Sequence, residues 1–526
     1  MHAKASQKSV LGLAQLRTVW GSGAKGRVGP GAGIHSVKPS GGTTDTDTDT
    51  GPEPTAAGHT VGTMFRRDSL YMVANSLQLL SGVLVTPFMT RVLGLHQYGV
   101  FASDLALLYL LYYTANLGLN IGVQRLYSQP GGELKSRNVL AASIIVVSVI
   151  TGIVYATGPL WSQGLGYGNF PLSTRLTVIW SGLFAMSWIC LAILRCHEKL
   201  RVYAIVCILQ GVVGIGLGTI FAYFHSRMAT DVVGCAVIVQ IIAVLLALVT
   251  VTPRWRGIFD FPTVWDTLKF SLPIVPLQIS TLVMAGADRI IVLRDLGPSA
   301  TGRYQVAYTL SAIGISMLTF LNLAWLPRIF SIHDRKTRAE VLARSRDGLY
   351  TLLVPVTIGL ALGGPIALRL WVPRSFHAAS LVPVIVLVVA STIPVCTSFV
   401  HSQLILAEGR STIVALVSIV AAAINIVLNV ILVPHIGING SALVTLVAYA
   451  VLAMGMALMS RQLLRLARPS NLVCVLVLAS FAVVLLSASI PIGGAGLILR
   501  AGGAGLCAVA AIRTLRGLQM AEPVGI

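Results

Sequence analysis

The chain reads as an all-α polytopic membrane protein of about fourteen transmembrane helices, forming two parallel six-helix lobes around a central cavity plus a C-terminal helix pair. Three observations predict this. Hydrophobic residues make up 55% of the 526 residues and charged residues only 11%, with a mean hydropathy of +0.82. That is more apolar side chain than a soluble interior of this length can hide. Apolar runs of about 20 residues recur along the chain, each long enough to cross roughly 30 Å of hydrocarbon. Finally, Arg91-Val-Leu-Gly-Leu-His-Gln-Tyr-Gly99 recurs as Arg294-Asp-Leu-Gly-Pro-Ser-Ala-Thr-Gly302, both fitting R-x-L-G-x4-G where one apolar run ends and the next begins. The runs are continuous rather than alternating, which argues against a β-barrel.

Residues 1–63 are rich in Gly, Ser, Thr and Pro and include Asp45-Thr-Asp-Thr-Asp-Thr50, so a disordered tail is expected there. Val10–Leu16 is too short for a signal peptide. Met64-Phe-Arg-Arg-Asp-Ser69 has the form of a membrane-protein start, with Ser69 as a helix cap; a chain beginning at Met64 is expected to insert and function.

Spans are expected near 69–92, 98–120, 138–158, 175–195, 202–224 and 231–252, giving an N-terminal lobe over 64–265. Pro253–Lys269 links the lobes, with Trp255, Phe259, Phe261 and Trp265 suited to the membrane interface. A second lobe over 266–460 holds spans near 268–293, 303–325, 348–371, 380–406, 411–433 and 440–460. Within it, the charged segment Arg328–Asp347 is expected to be an amphipathic helix on the cytoplasmic side. Residues 461–526 supply an extra helix pair, near 471–490 and 496–512, and a short tail. Six spans separate the motif copies, an even number, so spans 1 and 7 enter in the same direction and the halves are parallel repeats. The offset of 203 residues also registers Asn75, Gln78 and Gly82 with Gln278, Thr281 and Ala285.

The formal charge of +20 does not point to nucleic acid, because its placement follows the membrane. From Arg66 onward, twenty-three Lys and Arg fall on one set of span ends, and eight, among them Arg91, Arg294, Arg369 and Arg500, fall on the other. The positive-inside bias puts both termini in the cytoplasm and the repeated motif at the outer face. The seven cysteines stand singly, with no C-x-x-C pair or histidine at ligand spacing, so neither a disulfide nor a metal is assigned. No G-x-x-x-x-G-K-[ST] or H-E-x-x-H occurs, and no soluble segment is large enough for an active site. The chain is therefore expected not to be an enzyme and to need no cofactor.

Polar side chains within spans are costly in hydrocarbon and should face protein or water. Span 1 carries Tyr71, Asn75, Gln78, Gly82 and Thr86 on one helical face. Span 7 carries Gln278, Thr281, Ala285, Asp288 and Asp295 at helical spacing, and span 2 carries Tyr109, Tyr113, Asn116, Asn120 and Gln124. Any single amide is best read as interhelical glue worth about 0.6 kcal/mol; three such stripes together point to a hydrated central cavity. Asp288 and Arg289 are adjacent, about 100° apart on a helix, and are not expected to form one simple ion pair. Either one faces the cavity while the other pairs with a neighbouring helix, or they join a structural pair with Asp104 or Asp295.

Arg91, Arg125, Arg294 and Arg369 lie at span ends, where a guanidinium fork could meet phosphate or acidic sugar oxygens. Snorkelling to the interface is the alternative, and the better account of Arg125 and Arg369. His401 is a candidate proton carrier or a satisfied interior histidine, and Asn425 with Asn429 reads as helix–helix glue.

Several of these segments resemble the Wzx-type polysaccharide flippases of the multidrug/oligosaccharidyl-lipid/polysaccharide exporter superfamily. They are Thr90–Ala102, Ala287-Asp-Arg289 with Leu296–Tyr304, Ala324-Trp-Leu-Pro327 and Asn425–Ala442. The likeness spans about residues 64–460. It implies two six-helix lobes forming a V, and translocation of an undecaprenyl-pyrophosphate-linked glycan across the cytoplasmic membrane by alternating access. The partners implied are the lipid-linked glycan, membrane lipids, and a glycan polymerase or glycosyltransferases. The expected cavity residues are Arg91, Arg289, Arg294, Asn75, Gln78, Gln278, Tyr109, Tyr113 and Asn116, with Asp288 and Asp104 as ion-coupling candidates. A drug/cation antiporter using Asp288 or Asp104, and a non-transporting scaffold for glycan assembly, are the alternative readings.

Overall fold

The computed structural model describes residues 57–319, 329, 332, 334–464 and 466–520, with side chains described from Gly82 to Arg516. Among these residues every regular element is helical. This reflects the solvent, because in hydrocarbon each backbone N–H and C=O must be satisfied within the chain, and a helix does so locally. Eleven helices are long and apolar enough to cross a membrane, or twelve if a pair bent by 45° near Leu117 is one span. The expected fourteen is not confirmed; the side chains of span 1 before Gly82 and the last part of span 8 fall outside the described residues.

In chain order, α1 (Ala57–Asn116) contains two limbs joined at Gly94, and α2 (Leu119–Tyr127) continues the second limb. Next are α3 (Gly132–Ala156), α4 (Leu172–Cys196), α5 (Leu200–Phe224) and α6 (Ala229–Val251). Then come α7 (Phe261–Leu296), α8 (Pro298–Ser311), α9 (Arg335–Trp371), α10 (Ala378–Ala407), α11 (Ser411–Ile436) and α12 (Ile438–Leu463). The last two are α13 (Asn471–Ser489) and α14 (Ala495–Met520). The tail expected over 1–63 lies outside the described residues, except that α1 already begins at Ala57.

Helices α2 to α6 pack chiefly on one another, as do α7 to α12, while α13 and α14 pack on α9. The start of α7 also packs on α2 and α3. Asp260 caps α7 by accepting the Thr263 N–H, and Asn138 of α3 donates to the same carboxylate at 3.0 Å. From Arg335 the charged segment is helical and runs without a break into the next span as α9. Asp334 caps it through the Thr337 N–H at 2.8 Å, and Arg335 and Arg338 both reach Glu408.

The repeated motif folds the same way twice. Gly94 (φ 70°, ψ −178°) joins the limbs of α1, and Gly297 (φ 80°, ψ 176°) joins α7 to α8. This backbone region is essentially restricted to glycine, so one residue turns the chain between two helices without a loop. Gly437 (φ 69°, ψ −151°) makes a similar turn between α11 and α12.

Candidate functional site

The second glycine of each motif brings the repeats together. A Cβ added at Gly99 would lie 1.7 Å from the Pro298 carbonyl oxygen and 3.0 Å from the Gly302 nitrogen. One added at Gly302 would lie 2.7 Å from the Leu95 carbonyl oxygen and 3.2 Å from the Gly99 nitrogen. Leu95 and Pro298 are equivalent under the 203-residue offset, so the contact is reciprocal. It joins the two repeats at their motif ends.

Below this contact a small cavity of about 50 Å³ lies between the repeats, lined by Gly82, Thr86, Tyr98, Gln305 and Thr309 among others. Thr86 and Arg289 are equivalent in register. The Thr86 hydroxyl lies 3.5 Å from that of Tyr98; the Arg289 Nε donates to Gln305 Oε1 at 2.7 Å. The cationic member of the pair is thus linked to the cavity through Gln305.

Asp288 and Arg289 form an ion pair after all. Arg289 Nη1 lies 2.8 Å from Asp288 Oδ1 and also donates to the Ala285 carbonyl. The reading from helix angles fails because an arginine side chain leans toward the N-terminus of its own helix and is long enough to reach back over the preceding residue. Neither Asp104 nor Asp295 is the partner. Tyr304 donates to Asp288 Oδ2 at 2.5 Å, and the guanidinium lies 4.0 Å from the Tyr308 ring centroid. Asp288, Arg289, Tyr304 and Tyr308 are all buried, so in the low-dielectric interior each charge needs these partners. Tyr304, Gln305 and Tyr308 are not among the site residues the sequence predicts; the signal available is their spacing on α8, which puts Tyr304 and Tyr308 one turn apart.

A π-helical turn, Val283–Ala287, immediately precedes the pair. The wider turn rotates the helix beyond it, so Gln278 and Thr281 do not continue onto the Asp288 face as a regular helix would. Gln278 is half-buried, with an Oε1 that has no hydrogen-bond partner among the described residues.

The other candidates lie elsewhere. Arg91 donates to the carbonyls of Pro87, Leu370 and Trp371, tying α1 to the end of α9. Arg294 pairs with Asp295 at 2.7 Å, under the backbone at Gly166. Asn116 is buried and donates to the Ala185 carbonyl of α4. Tyr109 packs edge-on against Phe184, and Tyr113 lies against Tyr112. Asn75 and Gln78 have side chains outside the described residues. His401 is hydrogen-bonded to Ser460 at 2.7 Å, and Asn429 donates to Asn425 within α11 rather than across helices.

Asp104 is fully buried in α1. Thr174 donates to Oδ1 at 3.3 Å, while Oδ2 has no hydrogen-bond partner among the described residues. Its neighbours Ser103, Ser173 and Thr174 line a cavity of about 300 Å³ that reaches His96 and Pro298 at the motif end. Among the described residues, no group of three or more His, Cys, Asp or Glu could hold a metal ion.

Many transporter folds are polytopic helical bundles built from internal repeats. The chain belongs to the family described as polysaccharide biosynthesis proteins, whose model matches residues 67–333. The probable flippase AglR of Haloferax volcanii is 23% identical over 399 residues, covering 73% of this chain and 80% of that protein. The probable low-salt glycan biosynthesis flippase Agl15 of the same organism is 22% identical, covering 69% and 76%. Among solved structures, the lipid II flippase MurJ in an inward closed conformation covers 88% of this chain and 100% of its own, with a TM-score of 0.60 at 13% identity. An inward-facing multidrug resistance MATE family transporter of the MOP superfamily also has a TM-score of 0.60, covering 77% and 98% at 12% identity. The chain is a multi-pass membrane protein of this family, with the fold that these two structures share.

Proposed function

We propose that this protein is a flippase that moves an undecaprenyl-pyrophosphate-linked glycan across the cytoplasmic membrane by alternating access. Its termini are cytoplasmic and its motif end faces outward. The observation that carries this reading is the reciprocal Gly99–Gly302 contact above the buried Arg289 cluster. A contact made only of backbone and missing side chains can separate without breaking an ion pair, and the polar groups beneath it would then meet the outer side. Agl15, whose name places it in glycan biosynthesis, supports a glycan as the cargo. The lobes of this reading are residues 64–265 and 266–460, with 461–526 as an accessory pair.

Arg289 would meet the anionic part of the cargo only after yielding Gln305 or Asp288, so binding and rearrangement are coupled at this residue. Asp104 is the better ion-coupling candidate than Asp288, whose oxygens are both engaged. A buried carboxylate without a cationic partner must carry a proton or hold a cation. That observation also favours the second reading, a cation-coupled drug antiporter.

The test is a gene deletion complemented with the intact chain or with Arg289→Gln. Lipid-linked glycan should accumulate on the inner leaflet in the deletion, and Arg289→Gln should not clear it. Normal surface glycan in the deletion would overturn the reading. Full rescue by a chain with Arg91, Arg289 and Arg294 all changed to Gln would favour the scaffold.

A further inference from the structure

The end of the bundle remote from Gly94 and Gly297 holds a polar cavity that the proposed transport cycle does not use. Its volume is about 240 Å³, and it is lined by Arg125 of α2, Gln129 just beyond that helix, Lys135 of α3, and Asp266, Thr267 and Phe270 of α7. The Arg125 guanidinium is stacked 4.0 Å from the Phe270 ring centroid. Among the described residues no carboxylate pairs with it, so the fork is positioned by the ring and its donors remain for a ligand. Lys135 stands in the first turn of α3, whose N-terminus has no side-chain cap. The lining also contains a carboxylate, but Asp266 is 79% exposed and has Lys269 at 4.0 Å. The cavity is therefore net cationic.

Its depth identifies the anion. Trp255, Phe259, Phe261 and Trp265, on the same connection and first turns of α7, are 57%, 76%, 68% and 59% exposed. Large exposed aromatics clustered at a span end mark the headgroup layer of a bilayer. Basic pockets between helices at that level suit lipid phosphates.

We propose that this cavity binds the phosphate of an anionic phospholipid headgroup, with Arg125 and Lys135 as its two cationic contacts. Because the cavity joins α2 and α3 to the first helix of the second repeat, the bound lipid holds the start of α7 against the first repeat. The site stands apart from the cargo reading and does not depend on it.

The test uses the full chain, purified and exposed to equal phosphatidylglycerol and phosphatidylcholine, with bound lipid counted by native mass spectrometry. The intact chain should retain phosphatidylglycerol over phosphatidylcholine by about five-fold or more. Arg125→Gln with Lys135→Gln should bring the ratio near unity, and Asp266→Asn, which removes only the opposing charge, should raise it. An unchanged ratio in both variants overturns the proposal. Inorganic phosphate at millimolar concentration should not displace the lipid; if phosphate binds the intact chain and no lipid preference is seen, the site is one for a free anion and the lipid assignment fails.

Discussion

Gly99 and Gly302 pack reciprocally: a Cβ on Gly99 would lie 3.0 Å from the Gly302 nitrogen, and one on Gly302 would lie 3.2 Å from the Gly99 nitrogen. Alanine at Gly99 would meet a backbone oxygen at 1.7 Å, which no side-chain movement relieves. Gly99→Ala is therefore expected to hold the motif end apart. In a chain without native cysteines, labelling of Thr86→Cys by an impermeant thiol reagent from that side should rise several-fold. Unchanged labelling would show that the contact does not seal the cavity.

Gly94 and Gly297 should be sensitive for a different reason. Their backbone conformation is closed to side chains, and forcing alanine into it costs about 1–3 kcal/mol at each position. Thermal unfolding in detergent should show similar losses for Gly94→Ala and Gly297→Ala, since the two turns are alike. Gly82→Ala is the control: a Cβ there meets nothing within 4 Å.

The Asp288–Arg289 pair predicts strong non-additivity. Removing one partner from a buried ion pair leaves the other charge uncompensated, at about 3–5 kcal/mol. Asp288→Asn and Arg289→Gln should each destabilise the chain by that order, and the double variant by much less than the sum. A double-mutant cycle on unfolding free energies measures the coupling. Near-zero coupling would mean that Tyr304 and Gln305, rather than the pair, satisfy these groups.

Asp260 gives a pH-dependent prediction outside the membrane-spanning helices. Burial pushes its carboxyl up, but hydrogen bonds from Asn138 and Thr263 outweigh it and hold the carboxyl below its ordinary range. A depressed carboxyl contributes stability that is present above its unfolded value and lost as the pH falls through its folded one. Asp260→Ala should therefore lower the melting temperature at pH 7, by an amount matching about 1 kcal/mol of lost cap. The difference from the intact chain should shrink as the pH falls below about 4.

Composition suffices to read the helical class, and the repeat marks the junction glycines, because hydrocarbon and glycine-only backbone leave few alternatives. The candidate site is less legible. Arg289 stands out as a charge within an apolar run, but its partners come from α8 and from the residue beside it. A π-turn changes the helical face that the spacing of Gln278 and Asp288 assumes. Arg91 shares a motif with Arg294, yet one caps the end of α9 and the other pairs with its neighbour. Motif identity preserves the backbone turn and leaves the side-chain partners to differ.

Charge counting places Arg500 in an outer connection, but it lies in α14, fully buried. Its guanidinium donates to Ser487 and Ile490 at 2.7 Å each and to the Ala361 carbonyl of α9 at 3.2 Å. Among the described residues no carboxylate pairs with it; backbone carbonyls accept its donors instead. The buried charge therefore staples α14 both to its own partner helix, through Ser487 and Ile490, and to α9, through Ala361. Away from α9 the pair would leave part of that guanidinium unpaired in hydrocarbon, so it is expected to be stable in the membrane only where it packs on α9.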